Sequence, residues 1–367
     1  MFEHPRHDRP SITVVVAARP NFMKVAPIIR GLEASAEVEL VHTGQHYDDR
    51  MSGRFLDELG LPSPDVNLGV GSGTHAEQTA DVLKAFEAYL LQRAVDAVVV
   101  VGDVNSTLAC ALAAVKLQIP VAHVEAGLRS GDWRMPEEVN RVMTDSISRW
   151  LFTPSEEASR TLMSEGVPRD WIHLVGNVMV DTLVANLSRA RERGEALRTS
   201  LDLPRRYGIL TLHRPSNVDA ARDLNPVLDA VARVADDLAL LFPVHPRTAA
   251  RLEEFGLSLP PAVRVVEPLG YLDFIGLVEG ADVVLTDSGG LQAETSALGI
   301  PCLTIRENTE WGITCESGTN RLVGTDPARV FNGLTDALQD ERKPADIPFW
   351  DGKSGQRIAD CLLRDLM

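Results

Sequence analysis

Carboxylates follow two short apolar runs of the sequence at the point where each run ends. Asp103 comes two residues after the run AVVVV at 97–101, and Glu125 directly follows the run VAHV at 121–124. Glu137 comes a short distance later, immediately after Pro136. Two or three acids that converge on one cleft can serve as general base, general acid and electrostatic stabiliser. These three acids are therefore the first candidates for proton transfer.

A structural explanation competes with the catalytic one for part of this set. Glu137 and Glu138 begin a predicted helix, where the helix dipole favours negative charge by about 0.3–1 kcal/mol. That explanation suffices for one of the pair. It does not account for Glu125, because the apolar neighbours of Glu125 would make a buried charge costly.

The segment TDSGG, residues 286–290, ends a further apolar run and begins a predicted helix. Its glycines let the backbone approach a ligand closely, and the free N–H groups of a helix N-terminus favour a phosphate. Glu294 follows on the same helix, where it could accept a hydrogen bond from a ribose hydroxyl. The alternative is a capped tight turn without a ligand. The sequence contains neither GxGxxG nor GxxxxGKS/T, so a dinucleotide site or a P-loop has no support.

Cationic residues stand at equivalent positions after other strands. Arg19 and Lys24 lie at the start of the first predicted helix, and His213 with Arg214 follows the first strand of the second half. Solvated charge and a structural histidine are the alternatives for these residues. Because ligands of parallel α/β sheets bind at the carboxyl ends of the strands, we expect contacts to phosphate or carboxylate groups.

Short β-branched runs alternate with helical patterns through both halves of the chain. This alternation predicts an α/β protein whose parallel sheets are covered by helices on both faces. We expect two doubly wound, Rossmann-like domains facing a central cleft, over residues 1–176 and 177–350. A C-terminal helix over residues 351–367 is expected to pack back on the first domain. The charged linker near 176–204 is itself predicted to be helical.

The amino-acid composition argues against several classes of binding partner. The 367-residue chain carries 36 Lys plus Arg against 52 Asp plus Glu, a net charge of −16, which argues against binding to nucleic acid or to an anionic membrane. The four cysteines form no CxxC pair and no histidine cluster has zinc spacing, so we expect no metal site. The N-terminus lacks a signal-peptide core, and no apolar run approaches the ~20 residues of a membrane span. These features predict a soluble cytoplasmic protein.

Taken together, the motifs resemble those of the non-hydrolysing UDP-N-acetylglucosamine 2-epimerases, which have the two-domain GT-B fold. The resemblance covers nearly the whole chain, in family order. It rests on Arg19-Pro20 with Lys24, Gly44-Gln45-His46, Gly102-Asp103, HVEAGLR at 123–129, Pro136-Glu137-Glu138 with Asn140-Arg141, His213-Arg214, Pro243-Val244-His245, TDSGG at 286–290 with Gln292 and Glu294, and Arg321-Leu322-Val323-Gly324-Thr325.

The resemblance implies a role for each matching residue. Catalytic roles are implied for Asp103, Glu125, Glu137 and His213. Binding of the UDP-sugar is implied for Arg19, Lys24, Arg141, Leu269, Phe274, Ser288, Gly289, Gly290, Glu294 and Arg321. Within this set, the resemblance assigns the diphosphate to Ser288–Gly290, the ribose to Glu294 and the uracil pocket to Phe274. It also implies a homodimer and a reaction without a cofactor.

In bacterial members of that family a second UDP-sugar binds beside the substrate and activates the enzyme. Part of such a site is matched by Gln45, His46, Arg214 and His245. The glycine-rich stretch 69–73 stands where the family often has a basic side chain, and Asp48 would repel a phosphate. We therefore predict hyperbolic kinetics and no requirement for an activator.

The resemblance implies reversible epimerisation at C2 of UDP-N-acetylglucosamine to UDP-N-acetylmannosamine, through elimination of UDP to 2-acetamidoglucal and re-addition. Three alternatives stay open. A hydrolysing epimerase would release UDP and N-acetylmannosamine with nearly the same residues. A GT-B glycosyltransferase would pass the sugar to an acceptor, and a nucleotide-sugar sensor would bind without turnover. The presence of all the matching acids argues against a sensor.

Overall fold

The structure, a computed structural model, describes residues 9–44, 56, 58–235, 238–340 and 342–367. These residues form two compact units. The first comprises the chain up to Val184 together with Pro348–Met367, and the second is Ala185–Ile347. The chain first passes from one unit to the other within the helix Val178–Ser200, in the region where a helical linker is predicted.

The first unit contains a parallel sheet. Its strands are β1 Ser11–Val16, β2 Glu37–His42, β3 Val66–Asn67, β4 Ala97–Val101, β5 Val121–Val124, β6 Trp150–Thr153 and β7 Ile172–Leu174. They are hydrogen-bonded in the order β3-β2-β1-β4-β5-β6-β7, so the chain adds strands outward on both sides of a central pair. This order is typical of a doubly wound sheet and confirms the predicted architecture.

The central strands are those with the longest β-branched runs. All five residues of β4 are buried, as are five of the six residues of β1. A strand covered by helices on both faces has no solvent-facing side, so it needs no alternation of polar residues. The helices of this unit are α1 Arg19–Leu32, α2 His75–Leu90, α3 Asn105–Lys116, α4 Pro136–Ile147, α5 Glu156–Ser164 and the first part of α6 Val178–Ser200.

The second unit repeats this plan with a smaller parallel sheet. Its strands are β8 Tyr207–Thr211, β9 Ala239–Pro243, β10 Val263–Val266, β11 Val283–Thr286, β12 Cys302–Thr304 and β13 Asn320–Leu322. They pair in the order β10-β9-β8-β11-β12-β13. The helices are α7 Pro215–Val218, α8 Ala221–Ala235, α9 Pro246–Glu254, α10 Tyr271–Gly280, α11 Gly289–Leu298, α12 Gly312–Glu316 and α13 Pro327–Ala337. The same doubly wound topology is thus present in both halves.

The last helix, α14 Ser354–Leu366, returns to the first unit and packs on α1. The approach is close: a Cβ on Gly355 would lie 2.5 Å from the backbone of Pro27, and a Cβ on Gly31 would lie 2.9 Å from Cβ of Ala359. Glycine at both crossing points permits this distance because it has no side chain to displace the partner helix. The predicted packing of the C-terminal helix on the first domain is confirmed.

Candidate active site

The first unit brings two predicted acids together at the carboxyl edge of its sheet. Asp103 and Glu125 follow the neighbouring strands β4 and β5, whose ends are paired at Val101 and Val124. Lys24 reaches the same edge from α1, and its Nζ lies 2.5 Å from Oε2 of Glu125. The parallel sheet thereby joins a cation and a carboxylate that are 101 positions apart in the sequence.

Glu125 adopts a backbone conformation that is rare for its residue type. Its φ of 69° lies in the left-handed region, which costs a non-glycine residue on the order of 1–2 kcal/mol. The residue is only 6% exposed, and no described group makes a hydrogen bond to its Oε1. One carboxylate oxygen is thus bound to Lys24, while the other is buried without a described hydrogen-bond partner. Strained residues of this kind cluster at functional sites, where the surrounding fold holds them in place.

Lys24 is charged in this environment. Burial alone would lower its pKa, but the carboxylates of Glu125 and Asp103 outweigh that effect and hold the pKa above its usual value. The ammonium group also contacts the turn after β4, since a Cβ on Gly102 would lie 2.9 Å from Nζ. Gly102 has a φ of 67°, so both the backbone and the lysine require glycine here.

Arg141 holds Asp103 from helix α4. Its Nη2 lies 2.5 Å from Oδ2 of Asp103, and its Nη1 lies 2.6 Å from Oε2 of Glu138. Asn140, the preceding residue on α4, donates to the backbone carbonyl of Asp103. The guanidinium group of Arg141 is therefore already engaged by two carboxylates, and its evident effect in the structure is to orient Asp103.

The structure distinguishes the two neighbouring glutamates at the start of α4. Glu138 is 2% exposed and accepts hydrogen bonds from the backbone N–H groups of Ser130 and Gly131, so it is structural. Glu137 is half-buried and lines a cavity of about 300 Å³ together with Asp103. The cavity is further lined by Ser72, Gly73, His75, Gln78, Val104, Asn105, Pro136 and Asn140. Of the pair, Glu137 is the acid that a ligand in this cavity would meet.

A buried histidine–aspartate pair adjoins this edge and is absent from the site residues selected by sequence. His123 Nδ1 lies 2.6 Å from Oδ1 of Asp145, and His123 Nε2 lies 2.8 Å from the carbonyl oxygen of Gly102. Oδ2 of Asp145 accepts hydrogen bonds from the backbone N–H of Gly127 and from Arg129. The sequence holds little signal for the pair, because Asp145 lies 22 residues away on α4 without a motif that links it to His123.

In the second unit Asp287 connects the loops that follow β8 and β11. His213 Nδ1 lies 2.8 Å from Oδ1 of Asp287, and the backbone N–H groups of His213 and Arg214 donate to Oδ2, as does the Asn217 side chain. Burial alone would raise the pKa of Asp287, but His213 and the backbone donors hold it below its usual value. The His213 side chain is 41% exposed, so its other ring nitrogen can meet a ligand.

The predicted phosphate loop forms a strand-to-helix turn. β11 ends at Thr286 and α11 begins at Gly289, with Ser288 at the N-cap position. The backbone N–H of Ser288 donates to the Thr286 hydroxyl. The N–H groups in the first turn of a helix have no partner within the helix and attract anions. A Cβ on Gly289 would overlap with the end of the Glu310 carboxylate, so glycine here leaves that side chain in place.

Glu294 lies on α11 and is 5% exposed. The Tyr271 hydroxyl donates to its Oε1 at 3.0 Å. Burial raises the pKa of Glu294 to about 7, and the hydrogen bond from Tyr271 offsets only part of that effect. Leu269 and Phe274 pack against the apolar cluster that contains Leu291. The carboxyl group and these apolar side chains therefore lie in the same part of the second unit.

Arg321 is a predicted binding residue that the structure places apart from these groups. It pairs with Asp340 at 2.7 Å and is 42% exposed. It lines a different cavity, of about 510 Å³, together with Gly299 and Pro301 at the amino end of β12. Because side chains alternate along a strand, the buried Asn320 and the exposed Arg321 point to opposite sides of β13.

The predicted activator residues are described only in part. Gln45 and His46 lie outside the described residues, and so does the side chain of Arg19. Arg214 donates from Nε to a backbone carbonyl at the end of β11, and the ring of His245 caps the N-terminus of α9. The absence of an activator site at these positions stays a prediction, as do the hyperbolic kinetics expected from that absence.

Among the described residues, no group of three or more His, Cys, Asp or Glu side chains is placed to hold a metal ion. Within these ranges, no helix has both the length and the apolar character that crossing a membrane requires. None of the four cysteines forms a disulfide: Cys110, Cys302, Cys315 and Cys361.

Comparison with known proteins gives matches across both units. The family model described as UDP-N-acetylglucosamine 2-epimerase matches residues 31–363. The UDP-N-acetylglucosamine 2-epimerase of Methanocaldococcus jannaschii is 44% identical over 357 residues, which cover 95% of this chain and 97% of the relative. The UDP-2,3-diacetamido-2,3-dideoxy-D-glucuronate 2-epimerase of Pseudomonas aeruginosa is 38% identical, with 96% and 99% covered. A crystal structure of the M. jannaschii enzyme, in complex with UDP-GlcNAc and UDP, matches with a TM-score of 0.90 at 43% identity, covering 96% of this chain and 99% of that one.

Proposed function

The chain belongs to the UDP-N-acetylglucosamine 2-epimerase family, and from that premise we propose that it interconverts UDP-N-acetylglucosamine and UDP-N-acetylmannosamine without hydrolysis. The observation that carries the proposal is the buried and strained Glu125, which pairs with Lys24 through one oxygen and lacks a described partner at the other. Such a carboxylate can accept a proton from a substrate carbon that has become acidic. The bound UDP-GlcNAc and UDP in the M. jannaschii relative support a UDP-sugar as the substrate.

The reaction requires an elimination because the C2 hydrogen of the sugar is not next to a carbonyl group. Direct removal of that proton would face a very high barrier. When UDP leaves C1 with the electron pair of the C1–O bond, C1 gains cationic character and the C2–H bond becomes acidic. Loss of the C2 proton to a carboxylate forms the C1=C2 bond of 2-acetamidoglucal. Protonation of C2 from the other face and return of UDP to C1 give the epimer.

Inversion needs proton transfer on both faces of the ring, which one carboxylate does not easily reach. We assign the transfers to Glu125, Asp103 and Glu137, the acids that lie at or near the carboxyl edge of the first sheet. Lys24 pairs with one oxygen of Glu125, and Arg141 orients Asp103. This route transfers protons and breaks a C–O bond, so it requires no redox cofactor.

The second unit is assigned to the nucleotide. Ser288–Gly290 begin α11, and the helix N-terminus would stabilise the diphosphate both when bound and as the leaving group. His213, held by Asp287, would donate to the departing phosphate oxygen. Glu294 is assigned to the ribose hydroxyls and Phe274 to the uracil.

Product analysis by NMR tests this function. We expect UDP-N-acetylglucosamine to give UDP-N-acetylmannosamine, with the sugar still attached to UDP, until the two reach equilibrium. Accumulation of free N-acetylmannosamine and UDP would identify a hydrolysing enzyme instead. Turnover only after addition of a sugar acceptor would identify a glycosyltransferase. Either of the last two results contradicts the proposal.

A further inference from the structure

We propose that His123 is a positioning residue for the epimerisation, held as an imidazolium between the Asp145 carboxylate and the carbonyl of Gly102. Through its hydrogen bond to Gly102, His123 fixes the turn that carries Asp103. The same turn contacts Lys24. The effect of His123 on catalysis rests on the proposed function. The protonation state of His123 can be tested independently of any activity.

The protonation state follows from the two groups that face the ring. Nε2 of His123 lies 2.8 Å from the Gly102 carbonyl oxygen, which can only accept, so Nε2 must carry a proton. Nδ1 lies 2.6 Å from Oδ1 of Asp145. An ionised carboxylate also only accepts, so Nδ1 carries a proton as well. A histidine with both ring nitrogens protonated is a cation, and His123 is completely buried.

The surroundings of Asp145 keep its carboxylate ionised. Its Oδ2 accepts from the backbone N–H of Gly127 at 3.1 Å and from Arg129 Nη1 at 2.7 Å. The Arg129 guanidinium and the Gly127 N–H both favour an ionised carboxylate, independently of His123. Arg129 also pairs with Glu165, whose side chain is 40% exposed. A chain of alternating charges thus runs from a solvent-exposed carboxylate to the buried imidazolium.

The hydrogen bond to Gly102 is what links this chain to the proposed catalytic groups. Gly102 has a φ of 67° and its Cα faces the Lys24 ammonium group, whereas the next residue is Asp103. A hydrogen bond from a cation to the Gly102 carbonyl is about twice as strong as a neutral one, so it resists rotation of this peptide unit. Without it the turn can relax, and both Asp103 and Lys24 shift. A displacement of about 1 Å in a catalytic group can cost on the order of 10²-fold in rate.

Nitrogen NMR of the full-length chain labelled with 15N-histidine tests the protonation state. The chain has 9 histidines, and comparison with the His123→Gln variant identifies the signals of His123. We expect both ring nitrogens of His123 to show one-bond coupling to a proton in the folded protein, because both of their partners only accept. If either ring nitrogen lacks a proton under these conditions, the proposal is wrong.

Kinetics of His123→Gln test the positioning role. Glutamine is neutral and cannot donate to both partners from the two ring positions, so we expect kcat to fall on the order of 10²-fold. UDP affinity, measured by calorimetry, should stay unchanged because the nucleotide is assigned to the second unit, and a wild-type thermal unfolding profile shows that the variant is folded. The matched control is His173→Gln, a half-buried histidine on β7 that should keep normal turnover. An unchanged kcat in the His123→Gln variant contradicts the positioning role. If instead the wild-type protein has a doubly protonated His123 but no epimerase activity, only the proposed function is contradicted.

Discussion

Glu125 is the residue on which the proposed chemistry depends most, because it is buried, strained and without a described partner at one oxygen. Glu125→Gln keeps the shape of the side chain and removes the base. We expect turnover to fall on the order of 10²-fold or more, whereas UDP affinity should not change. Steady-state kinetics and calorimetry with UDP measure the two quantities.

The control for this substitution is Glu156→Gln, which makes the same chemical change at a side chain on α5 that is 67% exposed. It should leave both turnover and UDP affinity intact. Turnover near the wild-type level in Glu125→Gln would remove Glu125 from the proton-transfer step.

Glu294 gives the second unit a pH-dependent stability. Its pKa is raised to about 7 by burial, from 4.5 for the free side chain. Between these two values the folded state holds a proton that the unfolded state has released. The contribution of Glu294 to the free energy of unfolding is therefore greatest at low pH and declines as the pH rises through the folded pKa. The decline is on the order of 2 kcal/mol between about pH 5 and about pH 8.

Urea unfolding of wild type and Glu294→Gln measures this effect. The variant has no titrating group at this position, so it should gain stability relative to wild type when the pH is raised from about 5 to about 8. Glu307→Gln, at a side chain that is 70% exposed, serves as the control. A stability difference between Glu294→Gln and wild type that is the same at both pH values would show that the carboxyl is not ionising in this range.

Single residues of the site are easier to predict from sequence than the contacts between them. Asp103 and Glu125 stand directly after apolar runs, so strand periodicity alone places them at one sheet edge. The distinct roles of Glu137 and Glu138 depend on a loop that folds back on α4. The pairing of His123 with Asp145 likewise depends on how α4 packs against β5. No local pattern in the sequence encodes such contacts.

Among the elements, the turn after β4 has a left-handed backbone conformation and also positions Lys24. Gly102→Ala adds a Cβ at a φ of 67°, at 2.9 Å from Lys24 Nζ. We expect a loss of about 1–2 kcal/mol in stability from the backbone and, in addition, a large drop in kcat because Lys24 is displaced. Gly166→Ala is the matched control, since its φ of 87° is also left-handed but its Cβ would meet no described atom within 4 Å. Equal turnover in the two variants would contradict the role of this turn.

The elements themselves differ in how far sequence predicts them. Long β-branched runs such as AVVVV become central strands, because only a strand buried on both faces suits that composition. The strands β3 and β13 have two and three residues, too few for a periodic pattern, and they follow from pairing with a neighbouring strand. Arg321 lies on β13, and its outward direction is therefore set by a strand that the sequence does not reveal.

At the scale of the whole molecule, the proposed chemistry and the proposed nucleotide site belong to different units. Gly289→Ala places a Cβ against the carboxylate of Glu310, and because Glu310 is buried and bound to Arg306, we expect the start of α11 to shift. Loss of a hydrogen bond to a charged diphosphate costs about 1.5–3 kcal/mol, so we expect UDP to bind at least about tenfold more weakly. Calorimetry with UDP measures this change. Unaltered UDP affinity in Gly289→Ala would contradict the assignment of the diphosphate to this helix.

In the proposed mechanism the C2 proton of the sugar is removed to a carboxylate and replaced from the other face. Incubation of the protein with UDP-N-acetylglucosamine in deuterium oxide, followed by NMR at C2, tests it most directly. Several acids take part and exchange their protons with solvent, so we expect deuterium at C2 of UDP-N-acetylmannosamine and, as the reaction reverses, at C2 of the recovered UDP-N-acetylglucosamine. Formation of UDP-N-acetylmannosamine that retains the original hydrogen at C2 would contradict it.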